Sequence, residues 1–164
     1  VPILIAQHMP PTFTAVLAES LGKATGLQAA EGVDGEIPQP GRIYVAPGDY
    51  HMTVEGTADH PRLKVYQGPA ENYCRPAVDP MFRGVAATYG ASSIAVILTG
   101  MGSDGCKGAE ILVAAGGTVY AQDEASSVVW GMPGAVAKAG LCSGILPLTR
   151  LGPELRNHFK PRVP

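Results

Sequence analysis

The chain has 164 residues, 46% of them apolar and 16% charged, with a net charge of −2. That length holds one domain with a full core, and so few charges on so apolar a chain exclude disorder. With no basic stripe, no aromatic–basic interleaving and no apolar run long enough to span a bilayer, nucleic acid and direct membrane insertion are excluded as partners.

The chain opens on "VPILIA", with Ile3–Ala6 reading as a short buried strand. Gln7-His8-Met9-Pro10-Pro11 is a loop whose prolines suit the first turn of a helix. Phe13, Val16, Leu17 and Leu21 recur at helical spacing, and Gly26 is the stop. "EGVDGEIPQPG" reads as loop, Arg42–Ala46 as a strand, and Pro47-Gly48-Asp49 as a turn. His51–Glu55 and Leu63–Tyr66 form an antiparallel hairpin with a loose tip. Val78, Met81, Phe82, Val85 and Tyr89 mark a helix closed by Gly90. Ile94–Thr99 is a strand, Gly105–Ala115 a helix, Thr118–Ala121 a strand, Met132–Ala139 a short helix and Ile145–Leu148 a last strand. Leu151, Leu155 and Phe159 mark a C-terminal helix with Thr149 as its cap.

Short apolar strands alternating with amphipathic helices define an α/β fold: a doubly wound, mostly parallel sheet flanked by helices, with a few antiparallel strands. In such sheets the working residues lie on loops at the carboxyl ends of the strands. Three loops qualify, after Ala6, Thr99 and Ala121, and they carry His8, Asp104 and the acidic pair Asp123-Glu124. The opening inside a strand, with no leader before it, gives the expectation of a single domain over 1–164 that is N-terminally incomplete. An uncovered sheet edge on such a fragment would invite association.

The stretch "IAVILTGMGSDGCKGAEILVAAGG" admits three readings. Gly100, Gly102 and Gly105 fit G-x-G-x-x-G between strand and helix, and Asp123 ends the next strand, where a dinucleotide's ribose would find an acid. Against that reading, a pyrophosphate would rest on the same helix N-terminus as the Asp104 carboxylate and be repelled by it. In a second reading the glycines only turn the chain and Asp104 caps the helix it precedes. In a third, Asp104 fixes an imidazole tautomer so that the other ring nitrogen acts as base, while glycine-loop amides meet a developing oxyanion.

His8 is the histidine best placed for that third reading, because it follows a buried strand directly and is pinned by two prolines. His51, His60 and His158 read as structural or surface residues. No G-x-S-x-G is present; Ser103, Ser126 and Ser127 lack the glycines of a sharp elbow. Cys106 lies at a helix N-terminus, which can lower a thiol's pKa, but it reads first as a packing residue. Cys74, Cys106 and Cys142 are odd in number and form no C-x-x-C pair, so neither zinc nor a disulfide framework is expected and the setting reads as reducing and cytoplasmic. The residues thus supply a base, an orienting acid and an oxyanion loop, without a nucleophile.

Five ordered blocks, "AQHMPPTFT", "YVAPGDYHM", "RPAVDPMF", "VILTGMGSDG" and "AQDEASSVVWGMP", span nearly the whole chain. Together they closely resemble the catalytic domain of the chemotaxis protein-glutamate methylesterases, the CheB family. The resemblance implies hydrolysis of glutamate methyl esters on methyl-accepting chemoreceptors, with deamidation of receptor glutamines, by a Ser-His-Asp triad without metal or cofactor. It implies His8 as the triad histidine, Asp104 as the triad aspartate and Met101 as the residue whose backbone N–H serves the oxyanion. The family serine follows a first strand upstream of the histidine block, so the resemblance places it before Val1 and implies that the fragment alone is inactive. A phosphorylatable receiver domain in the parent protein is a further implication. The same fold with a substituted serine would instead be a non-catalytic receptor-binding or signalling module.

Overall fold

A computed structural model describes residues 1–159. The parallel strands fall into two blocks. The first contains β1 (Ile3–Ile5), β2 (Gln28–Glu31) and β3 (Arg42–Val45), ordered β1-β3-β2; the second contains β6 (Ile94–Ile97), β7 (Thr118–Gln122) and β8 (Gly144–Leu146), in sequence order. β3 carries both neighbours of its block in parallel register, with Ile43 opposite Ile3 on one side and Ala29 on the other. Between the blocks in sequence runs an antiparallel hairpin, β4 (His51–Thr57) and β5 (His60–Tyr66). Five helices flank these strands: α1 (Phe13–Thr25), α2 (Val78–Tyr89), α3 (Cys106–Ala114), α4 (Met132–Lys138) and α5 (Leu148–His158).

The two faces of β3 show why its apolar run needs cover on both sides. Ile43 and Val45 point into a small cluster with Ala18, Leu17 and Leu21 of α1, whereas Tyr44 joins the main core. That core gathers Met52, Val54 and Leu63 of the hairpin, Met81 and Phe82 of α2, Leu112 of α3 and Val119 of β7. Two glycines let α2 approach its neighbours. A Cβ on Gly108 of α3 would lie 2.7 Å from that of Phe82, and one on Gly84 would lie 1.8 Å from Thr53 Oγ1 of β4.

Several boundaries differ from the sequence reading. β2 forms where a helix stop and loop are expected. Its residues, Gln-Ala-Ala-Glu, have weak strand preference, and parallel pairing with β3 over four residues overrides it. The hairpin tip is tight, with Thr57 paired to His60 across two residues. β6 stops at Ile97 because the Thr99 N–H turns to Gln122 Oε1 at 2.8 Å instead of a ladder. The C-terminal helix starts at Leu148 behind Pro147, so Thr149 lies inside it and caps nothing, and Phe159 follows its last turn.

Among the described residues β1 is paired on one side only, by β3, and β6 on one side only, by β7. An apolar cavity of about 300 Å³ opens between them, lined by Val1 and Leu4 at one edge, Ile94 and Ala95 at the other, and Phe82 and Val85 of α2.

The close seat of α2 on β4 is testable. In an open helix position alanine is favoured over glycine by about 1 kcal/mol. At position 84 the clash with Thr53 and with the Val54 carbonyl, 2.5 Å from the added Cβ, reverses the sign. Gly84→Ala should destabilise the protein by about 1–3 kcal/mol, seen as a lower urea midpoint at unchanged slope. A raised midpoint would contradict this packing.

Candidate active site

His8 follows β1, and its loop is held in place from outside. The turn after β3 lies so close that a Cβ on Gly48 would fall 2.3 Å from the Pro11 nitrogen. The Gly48 N–H donates to Thr14 Oγ1 at 2.9 Å, and that buried hydroxyl donates to Glu31 Oε1 at 2.5 Å. The imidazole projects from this braced loop, and its Nε2 lies 2.6 Å from Asp104 Oδ2.

Asp104 is buried, and its side chain is 2% exposed against 25% for His8. Oδ2 accepts from His8 and from the Val78 N–H at 2.6 Å. Oδ1 accepts from Asn72 Nδ2 at 2.8 Å, the Asp79 N–H at 3.1 Å and the Gly105 N–H at 3.0 Å. Val78 and Asp79 open α2, whose own preceding residue, Ala77, offers no side-chain cap. The expectation that Asp104 caps the helix following it is therefore corrected. It caps a helix that starts 26 residues earlier in the chain, and a positive helix end faces its charge. Burial pushes the Asp104 carboxyl up, but hydrogen bonds from His8, Val78, Asp79 and Asn72 outweigh it and hold the group below its ordinary value.

An ionised carboxylate only accepts, so the proton between the pair sits on His8 Nε2. Nδ1 is then the nitrogen able to accept a proton. The ring lies the opposite way round from the serine-protease template, in which Nδ1–H faces the aspartate.

The glycine loop after β6 is braced by backbone bonds. The Gly100 N–H donates to Val129 O at 3.0 Å, and Gly100 O accepts from Gly131 at 3.0 Å and Met132 at 2.8 Å. Met101 stands at the loop's apex with its side chain 83% exposed. Among the described residues its N–H has no hydrogen-bond partner.

Three backbone donors around the start of α3 are already taken. Gly105 N–H serves Asp104, Cys106 N–H serves Ser103 O, and Gly108 N–H serves Asp79 Oδ1 at 2.7 Å. Asp123 bonds locally, accepting from Ser126 Oγ at 2.5 Å and from the Ser126 N–H at 3.0 Å. These bonds, with the Asp104 carboxylate beside the start of α3, weigh against a dinucleotide at the G-x-G-x-x-G spelling, and they occupy Ser126; Ser127 is bonded to the Asp123 carbonyl. Burial, with Glu110 and Asp79 nearby, pushes the Cys106 thiol up, against the activation its helix position suggested. The three cysteines are free thiols, and no group of three or more His, Cys, Asp or Glu that could hold a metal occurs among the described residues.

The segment 67–77, of which the sequence reading took up only residues 75–77 within a block, leads from the hairpin to α2. His51, buried at the foot of the hairpin, holds it at both ends, with Nε2 donating to Pro69 O at 2.9 Å and Nδ1 accepting from the Ala77 N–H at 3.3 Å. Arg75 is fixed by Asp49 Oδ1 at 2.5 Å. An open cleft of about 250 Å³ lies between this segment and the histidine loop, lined by His8, Met9, Pro10, Tyr73, Cys74 and Arg75. It is smaller than the roughly 300–1,000 Å³ of enclosed small-molecule pockets.

An α/β chain with a buried carboxylate orienting a histidine at the carboxyl rim of parallel strands has the arrangement of the acid–base half of a Ser-His-Asp hydrolase. The chain belongs to the CheB methylesterase family, whose model matches residues 1–155. It is 59% identical over 152 residues to a protein-glutamate methylesterase/protein-glutamine glutaminase of Paramagnetospirillum magneticum, covering 93% of this chain and 40% of that protein. A protein of the same name from Azospirillum brasilense is 56% identical over 156 residues, 94% of this chain and 40% of its own length. The chain thus spans about 40% of the length of these relatives. The crystal structure of the Thermotoga maritima CheB methylesterase catalytic domain superposes with a TM-score of 0.92 at 40% identity, covering 96% of this chain and 83% of that one.

The double duty of Asp104 gives a signed pH prediction. A group whose folded pKa is depressed stabilises above its unfolded pKa, about 3.9 for aspartate, and the contribution is lost as pH falls through the folded value. Asp104→Asn should therefore lower stability at pH 7, and the gap to the unchanged protein should close below about pH 4. Urea unfolding from pH 3 to 8 measures it; a gap that does not vary with pH would contradict an ionised Asp104.

Proposed function

We propose that the complete protein hydrolyses glutamate methyl esters on methyl-accepting chemoreceptors, and deamidates receptor glutamines, through a serine, His8 and Asp104. The observation that carries this reading is the 2.6 Å contact of His8 Nε2 with Asp104 Oδ2; opposite an ionised carboxylate it leaves Nδ1 to act as base. The printed activities of its relatives, protein-glutamate methylesterase and protein-glutamine glutaminase, give the substrate class. The open, shallow cleft beside His8 suits a side chain presented on a protein surface.

The serine is supplied from outside residues 1–164. A parallel strand seated in the apolar cavity between β1 and β6 would pair with both free edges and end at the rim that carries His8 and Asp104. Residues 1–164 then act as one catalytic domain in a longer, cytoplasmic protein that includes a receiver domain. Among the described residues no helix is long and apolar enough to cross a membrane.

The chemistry follows from the geometry. Serine Oγ attacks the ester carbonyl carbon while His8 Nδ1 takes its proton. The oxyanion is met by the unpartnered N–H of Met101, at the apex of a loop already fixed by its neighbours' bonds. Collapse expels methoxide, which takes the proton from His8 and leaves as methanol. Water, deprotonated by His8, then attacks the acyl-serine, and glutamate is released with serine restored. Asp104 holds the ring throughout and stabilises its charged form.

In the complete protein, His8→Ala and Asp104→Asn should each cut methanol release from methylated receptor by about 10³–10⁴-fold. Rates within tenfold of the unchanged enzyme would remove His8 and Asp104 from the mechanism, whereas no methanol from the unchanged protein would point to the non-catalytic receptor-binding module. Hydrogen exchange tests the strand separately. The amides of β1 and β6 should be far better protected in the complete protein than in residues 1–164 alone, and equal exchange would leave the cavity without a strand.

A further inference from the structure

Glu71 and Cys74 exchange backbone hydrogen bonds of 3.1 and 2.9 Å, closing a two-residue turn over Asn72 and Tyr73. Both central residues are left-handed, with φ of +51° and +63°. This is the signature of a type I′ turn, in which asparagine suits the first position and glycine the second. A tyrosine in that second place is strained. The turn is fastened to α2 regardless, because Glu71 accepts two hydrogen bonds from Arg83, at 2.9 and 2.6 Å.

The turn delivers the Asn72 amide between two buried acids. Its Nδ2 lies 2.8 Å from Asp79 Oδ2 and 2.8 Å from Asp104 Oδ1, and both aspartates are 2% exposed. An amide nitrogen has two hydrogens, and here each serves one carboxylate. Asp79 is otherwise held by the Gly108 N–H of α3. Without the amide, two buried carboxylates would face each other with no donor between them, and like charges so placed oppose each other's ionisation. The amide is the one side-chain donor on Oδ1 of Asp104, beside the Asp79 and Gly105 N–H groups, and so helps orient the carboxylate plane whose Oδ2 meets His8 and the Val78 N–H.

We propose that Asn72 is a positioning residue for His8: it bridges Asp79 and Asp104 so that Asp104 Oδ2 stays aimed at the imidazole Nε2. This role rests on the proposed esterase reading. The alternative is that the amide only braces its own turn.

Asn72→Gly separates the two, because glycine adopts the left-handed backbone without strain and removes only the amide. In the complete protein we expect kcat on methylated receptor to fall about 10–100-fold, the size typical of removing a hydrogen-bond partner behind a site residue, with KM within about twofold. The His8 Nε2–H proton resonance, sharp in the unchanged protein, should broaden by exchange with water. In an Asp79→Asn background the same substitution should cost less, because the repulsion it unmasks is gone. If the glycine variant does not fold, Asn72→Ser carries the test, since a hydroxyl adds no charge and its single hydrogen cannot serve both carboxylates. The proposal is overturned by an unchanged kcat, by a loss confined to KM, by equal cost in both backgrounds, or by an unaltered Nε2–H resonance. If the unchanged protein releases no methanol, the esterase reading fails; the resonance still decides whether Asn72 positions His8.

Discussion

The structure turns on one buried charge. Asp104 gives up almost all contact with water, and such a transfer is costly unless donors replace the solvent. Five do: an imidazole, a side-chain amide and three backbone N–H groups, two of them from the first turn of α2. The same hydrogen bonds therefore start a helix, join the loop after β6 to the segment before α2, and set the tautomer of His8. The fold and the proposed chemistry share a carboxylate, and neither can be altered at this point without the other.

α2 is the element through which that carboxylate reaches the rest of the molecule. Its N-terminus faces Asp104, its middle lies on the hairpin at Gly84, and its apolar face lies under the cavity between the two strand blocks. The blocks have no strand-to-strand bond with each other; the main core, with Met81 and Phe82 of α2 among its members, joins them. The site consequently sits where three separately built pieces meet: the β1 loop, the β6 loop and the start of α2.

Much of this was legible in the sequence because it obeys local rules. Apolar strands followed by polar loops placed His8 and Asp104 on one rim, and left-handed Gly26 ends α1 as its position suggests. What escaped is non-local. Nothing within a few residues of Asp104 shows that it caps a helix starting at Val78, and the glycine that follows it pointed to the wrong helix. β2 escaped because alanine, glutamine and glutamate do not spell a strand; the partner strand makes it one. Asn72 escaped because its segment has no apolar period to read, and the two acids it bridges are brought together by other elements. The block "RPAVDPMF" carried the resemblance, yet the task of Asp79, receiving Asn72 and Gly108, needed three elements in place.

The contact between Gly48 and the two prolines has a consequence for inheritance. Every amino-acid change reachable from a glycine codon by one base adds a Cβ, and at this position that carbon would meet the backbone of Pro10 and Pro11. Neutral drift therefore has no single step at position 48. The turn after β3 and the loop bearing His8 must be carried down a lineage together, or be rebuilt together.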